Sequence, residues 1–145
     1  MRFDRMLFSS MMYPADYGFI PETLALDGDP LDVLVLINEP TFPGCVMEVK
    51  PIGVFHMADD KGPDEKIICV PVSDPIWNSL NNLSDINPHL LKEIEHFFQV
   101  YKDLEKKVVD VEGWGDLDEA LRIIKLCTDR FNNIPNKPEG LFSIK

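Results

Sequence analysis

Cysteine is scarce, and the three present do not cluster: Cys45, Cys69 and Cys127 are far apart in 145 residues, an odd number with no C-x-x-C pair. Neither a disulfide framework nor a cysteine-ligated zinc centre is built that way, so reduced thiols are expected. Long apolar runs are missing too. None approaches the roughly 18 residues that a membrane-spanning helix requires, and the opening MRFDRMLFSSMM interrupts any secretory core with Asp4. Positive charge is short: 14 Lys and Arg against 25 Asp and Glu leave a net charge of −11. Such a surface repels the phosphates of nucleic acid and of anionic lipid, so no nucleic acid and no membrane is expected as a partner. No repeat, low-complexity tract or linker divides the chain, and its length suffices for one domain, 1–145, with a core of its own. A soluble, cytoplasmic protein is expected.

Proline, by contrast, is plentiful, with 12 residues where about 5% is usual. From Tyr17 to about Val72 it punctuates short apolar, β-branched runs, namely YGFI, VLVLI, CVMEV, IGVF and KIICVPV, which read as consecutive strands. After Pro75 the texture changes. Leu90, Leu91, Ile94, Phe97, Phe98, Tyr101 and Leu104 recur at helical spacing behind an Asn87 cap and Pro88, predicting a helix over 88–106. A second helix, with Leu117, Leu121, Ile124 and Phe131 on one stripe, is predicted from Asp116 or Asp118 to before Pro135. The fold class is α+β, strands first and helices after.

The chemistry lies in the acidic residues. LDGDPLD places Asp27, Asp29 and Asp32 within six residues. Two carboxylates about 4 Å apart repel by roughly 4 kcal/mol at an effective dielectric of about 20, so the cluster either splays into water or closes on a cation. On a regular strand Asp32 would face away from Asp27 and Asp29; Gly28 and Pro30 allow a kink that turns it back. A solvated D-G turn is the plainer alternative. An EF-hand is excluded, because Asp32 stands where its glycine belongs and Asn38 where its glutamate belongs. A second cluster, Asp59, Asp60, Asp64 and Glu65 in HMADDKGPDEK, reads as a loop between strands, either a polar hairpin tip or further oxygen ligands for hard cations. Arg5, Tyr13, Tyr17, Lys66, Tyr101 and Lys102 are the sparse basic and phenolic residues. Each also has an ordinary reading as core, counter-charge or surface.

The strings DRMLFSSMMYPADYGFIPETLALDGDPLDVLV, PIGVFHMADDKGPDEKIICVPV and HFFQVYKDLEKKVVDVEGW, in this order, resemble soluble inorganic pyrophosphatase of family I, the magnesium-dependent type. The resemblance spans about residues 3–131, and D-G-D-P-L-D flanked by apolar residues is its most specific part. It implies a distorted OB-like antiparallel β-barrel with C-terminal helices packed outside, hydrolysing pyrophosphate to two phosphates. By matching position, Asp27, Asp32, Asp59 and Asp64 would coordinate several Mg2+ ions, other divalent cations being possible. Asp29 would receive the proton of the attacking water, with Asp64 the second candidate. Arg5, Tyr17, Lys66, Tyr101 and Lys102 would hold phosphate oxygens, and Tyr13 would line the pocket. A homo-oligomer is implied, a hexamer as in bacterial relatives, with His96 either at or near a subunit contact or a helix-surface histidine with no role. An acidic protein binds so charged an anion only if metals supply positive charge. Family members usually carry a further segment upstream of Arg5, which this chain precedes by four residues; impaired turnover is therefore expected. The competing expectations are a non-catalytic remnant of the same fold that binds divalent metal or phosphate, and an OB-like nucleic-acid binder, which the net charge disfavours.

Overall fold

The computed structural model describes residues 15–104 and 110–135, with side chains over 15–100 and 111–135. The elements run β1 (Asp16–Ile20), β2 (Leu31–Val35), β3 (Val49–Asp59), β4 (Gly62–Pro71), α1 (Pro88–Leu104), β5 (Asp110–Gly115) and α2 (Leu117–Asn132). β3 and β4 form the central hairpin, and the sheet order is β1-β2-β4-β3-β5.

The expectation of a wholly antiparallel barrel is corrected here. β2 pairs with β4 in parallel, Asp32 opposite Lys66, while every other pairing is antiparallel. The cause is topological: the segment 36–48 carries the chain past β4, so the hairpin offers its second strand to β2. Nor is the sheet closed among the described strands, where β1 and β5 remain as edges.

One helix lies on each face of the sheet. Alternation along β2 and β4 sends Leu34, Leu36, Ile68 and Val70 into one apolar cluster with Ile94, Phe97 and Phe98 of α1. Leu31, Val33, Val35, Ile67 and Cys69 enter a second cluster with Ala120, Ile123 and Cys127 of α2. Burying each large apolar side chain is worth about 1.5–3 kcal/mol, so the two clusters hold the strands in place from both sides.

α1 begins as its sequence predicts, the Asn87 side chain accepting the His89 amide at 2.9 Å. α2 is capped by Asp116, whose carboxylate accepts the Glu119 amide at 3.0 Å. Its buried stripe is Ala120, Ile123, Cys127 and Phe131, whereas Leu121 is 47% exposed, so the expected stripe is rotated. Small Ala120 and Cys127 let the helix approach Val54 and Ile67 more closely than leucines would.

Two strand readings also change. Of CVMEV only Val49 joins β3, because the chain turns at 42–45, with the Cys45 amide on the Phe42 carbonyl, and Val46 stands 66% exposed among the described residues. β5, unforeseen in the sequence, pairs with β3 and lays Trp114 against Phe55 at 4.7 Å between ring centroids. Among the described residues no helix is long and apolar enough to cross a membrane.

Candidate active site

The stretch LDGDP is a tight turn, not a strand. The Ala25 amide donates to the Asp29 carbonyl at 2.8 Å, the Gly28 amide to the Ala25 carbonyl at 3.1 Å, and the Asp27 carboxylate accepts the Asp29 amide at 3.0 Å. Gly28 has φ +88°, a left-handed conformation that side chains disfavour. β2 then starts at Leu31, and strand alternation places Asp32 on the α1 face of the sheet.

Asp64 and Lys66 reach the same face from β4. The expected loop HMADDKGPDEK is instead two strands meeting at a turn over Asp60 and Lys61, so Asp64 and Glu65 belong to β4. Gly62, at φ +112°, and the Asp59 carboxylate, which accepts the Lys61 amide at 2.9 Å, make that turn tight enough for the ladder to continue. Register then does the gathering: Lys66 faces Phe55 and Asp32, Asp64 faces Met57, and Tyr17 faces Leu34.

At the centre is Lys66, only 4% exposed. Its ammonium donates to Asp32 Oδ2 at 2.9 Å and to Asp64 Oδ1 at 3.1 Å, and lies 5.2 Å from the Tyr17 ring centre and 5.3 Å from that of Phe98. Burial pushes the Lys66 pKa down, but Asp32 and Asp64 more than reverse this, so the group stays charged. Burial raises the Asp32 pKa, only partly opposed by Lys66 and by a hydrogen bond from Tyr17. Asp27 is raised too, first by burial; its own bond to the Asp29 amide lowers it, and the charges of Asp29 and Asp64 raise it further.

Tyr17, Asp32, Asp64 and Lys66 are therefore brought together, with Asp27 in electrostatic range of Asp64 and Lys66, and Asp29 exposed beside it. Asp59 shares their face by register, at the far end of β3. Tyr101 and Lys102 lie on α1, and their side chains fall outside the described ones; Arg5 and Tyr13 lie outside the described residues altogether. His96 is exposed on α1.

Among the described residues no three acidic, histidine or cysteine side chains form a ready cage for a metal ion. The donor set still suits a hard divalent cation. Asp32 and Asp64 already converge on one positive charge, and magnesium characteristically takes one or two carboxylates and completes its shell with water and phosphate oxygens.

Reading the sequence alone overlooks Thr23. It is 1% exposed; its hydroxyl donates to the Ile20 carbonyl at 2.6 Å and accepts the Leu31 amide at 2.9 Å, tying the ends of β1 and β2 together around the aspartate turn. Only the hint of a threonine between two strand runs was there to find.

The family profile described as inorganic pyrophosphatase matches residues 1–132. The inorganic pyrophosphatase of Methanosarcina mazei is 61% identical over 130 residues, covering 90% of this chain and 77% of its own. That of Synechocystis is 50% identical over 128 residues, covering 88% and 76%. The crystal structure of inorganic pyrophosphatase from Thermus thermophilus superposes with a TM-score of 0.85 at 43% identity, covering 91% of this chain and 78% of that one. With its Asp27–Asp32 turn, its Lys66 cluster and its mixed sheet inside the matched span, the chain belongs to the inorganic pyrophosphatase family.

Proposed function

We propose that this chain hydrolyses inorganic pyrophosphate to two phosphates. The observation that carries the reading is the buried Lys66 ammonium bridging Asp32 and Asp64, beside the Asp27 turn, in a chain of this family. A net charge of −11 repels a small, highly charged anion overall, which favours recruitment through cations.

Asp27, Asp32, Asp59 and Asp64 are the residues we assign to divalent ions, Mg2+ first. The chemistry such ions supply is acidification of a bound water and neutralisation of diphosphate charge. Asp29, exposed at the turn, receives the proton of the attacking water, with Asp64 the second candidate. An ammonium has three donors; two of those on Lys66 go to Asp32 and Asp64, and we assign the third to a phosphate oxygen. Tyr17, held against Asp32, and Arg5, Tyr13, Tyr101 and Lys102 complete the substrate's surroundings. Charge spread over the transferring phosphoryl group is stabilised by such pre-set donors without reorganisation.

The reading includes one domain over 1–145, closure of the sheet into an OB-like barrel, a homo-oligomeric, hexameric assembly and a cytoplasmic location. The test is phosphate release from pyrophosphate with Mg2+, comparing wild type with Asp29→Asn. A loss of about 100-fold or more in kcat is expected for a general base. Equal rates would remove Asp29 from that role, and a wild type that binds Mg2+ yet releases no phosphate would favour the metal-binding remnant instead.

A further inference from the structure

The aspartate turn hangs from a dipeptide, Thr23–Leu24, whose polar groups bond to three other parts of the fold. The Thr23 hydroxyl joins the Ile20 carbonyl of β1 to the Leu31 amide that opens β2. Leu24 is gripped from the opposite side of the sheet by α2: its amide donates to the Cys127 carbonyl at 3.0 Å, and its carbonyl accepts Arg130 Nη1 at 2.6 Å. Arg130 is 106 residues from Leu24 in sequence, so this is a tertiary tie and not part of the turn itself.

These ties enclose the aspartates. Asp27 follows Leu24 by three residues, Asp32 follows Leu31 directly, and the turn between them is short. Its internal hydrogen bonds give the turn a shape of its own, so where its carboxylates stand relative to β4 depends on where its two ends are held. Among the described residues, Thr23 is one of two buried polar or charged side chains, the other being Lys66. A buried hydroxyl with both a donor and an acceptor bond fixes two strand ends relative to each other, which an apolar side chain of the same size cannot do.

We propose that Thr23 and Arg130 are positioning residues for the metal-holding aspartates, so that the C-terminal helix on the reverse face of the sheet sets the divalent-ion affinity of the site on the front. This rests on the reading of Asp27 and Asp32 as cation ligands given above. Thr23 and Arg130 touch neither metal nor substrate; they act through Leu31 and Leu24.

The test measures Mn2+ binding to the full chain by calorimetry, without substrate, for wild type, Thr23→Val, Thr23→Ser and Arg130→Met. Hydrogen exchange at the Leu31 amide is followed in parallel. Ile123→Val is the control, a loss of one methylene from the α2 core that lowers stability without touching either tie. Supporting groups around metal ligands typically govern affinity by about 10- to 100-fold, and weakening of that order is expected for Thr23→Val and Arg130→Met. Thr23→Ser retains the hydroxyl and restores wild-type affinity, Leu31 exchange accelerates in Thr23→Val alone, and Ile123→Val binds Mn2+ as wild type does. Wild-type affinity in folded Thr23→Val and Arg130→Met, with stability reduced as in the control, would overturn the proposal alone. A wild type that binds no Mn2+ would overturn the metal reading, and this inference with it.

Discussion

On the α1 side of the sheet, the Lys66 ammonium is buried between two carboxylates at 2.9 and 3.1 Å; one residue earlier in the same strand, on the α2 side, Glu65 is treated quite differently. Its Oε2 is buried with no hydrogen-bond partner among the described residues. Burial raises its pKa, opposed by the charges of His56 and Arg122 and reinforced by Glu119. His56 and Arg122 themselves lie against Glu119, at 3.3 and 3.4 Å. One strand thus carries both an ammonium hydrogen-bonded to two carboxylates and a carboxylate oxygen with no such partner among the described residues. On the first side Asp32 and Asp64 meet Lys66 with Asp27 in electrostatic range, and the second side faces α2. Two ionisable side chains one residue apart differ in whether a partner stands within hydrogen-bond distance.

The largest break in this contrast is Lys66→Met. Removing one partner of a buried charge cluster leaves the others uncompensated and costs about 3–5 kcal/mol, so urea unfolding without divalent ions should shift accordingly. Phosphate release should fall with it, and divalent ions should recover part of the stability by replacing the lost positive charge beside Asp32 and Asp64. If Lys66→Met unfolds like wild type, the Lys66 ammonium does not hold Asp32 and Asp64 together as its two bonds imply.

A smaller effect comes from the α2 side. Asp116→Ala removes the cap that accepts the Glu119 amide and should cost about 1 kcal/mol of stability, read from thermal or urea unfolding. Pyrophosphate hydrolysis per folded molecule should be unchanged, because the cap serves packing alone.

The smallest effect sharpens the comparison through pH. A carboxyl whose pKa is higher folded than unfolded holds its proton more tightly in the folded state. The Glu65 contribution is therefore most favourable below its ordinary value of 4.5, and is lost as pH rises through the raised folded value. Glu65→Gln should abolish this part of the decline, leaving the variant as stable as wild type or slightly more so at neutral pH. Urea unfolding across that range checks it; a stability loss on Glu65→Gln at neutral pH would mean that the ionised carboxylate is well matched after all.

How much was legible beforehand follows from which residues carry local signals. Pro88 behind Asn87 and the apolar spacing through Phe98 announce α1, and Asp116 with the periodicity after it announces α2. Gly28 and Pro30 announce the kink. β5 was hidden because Asp110–Gly115 contains two glycines and two acidic residues; it becomes a strand through its ladder with β3 and the packing of Trp114 against Phe55. CVMEV misled in the opposite sense, its β-branched composition counting for nothing where, among the described residues, no apolar layer covers Val46. Thr23 and Arg130 gave no local sign, since one acts across eight residues and the other across 106.

By itself, the sequence determined the residue chemistry of the site and its local shapes: an acidic chain, an aspartate turn bent by Gly28, two capped helices, and a motif whose family is specific. Only the tertiary structure decided that β2 lies parallel to β4, and that register puts Asp32 opposite Lys66 and Asp64 on the same face. The physical reason is range. Turns, caps and periodicity are set by bonds between near neighbours, whereas the pairing of a buried ammonium with carboxylates from two strands depends on which edge the hairpin presents, and no stretch of ten residues contains that choice.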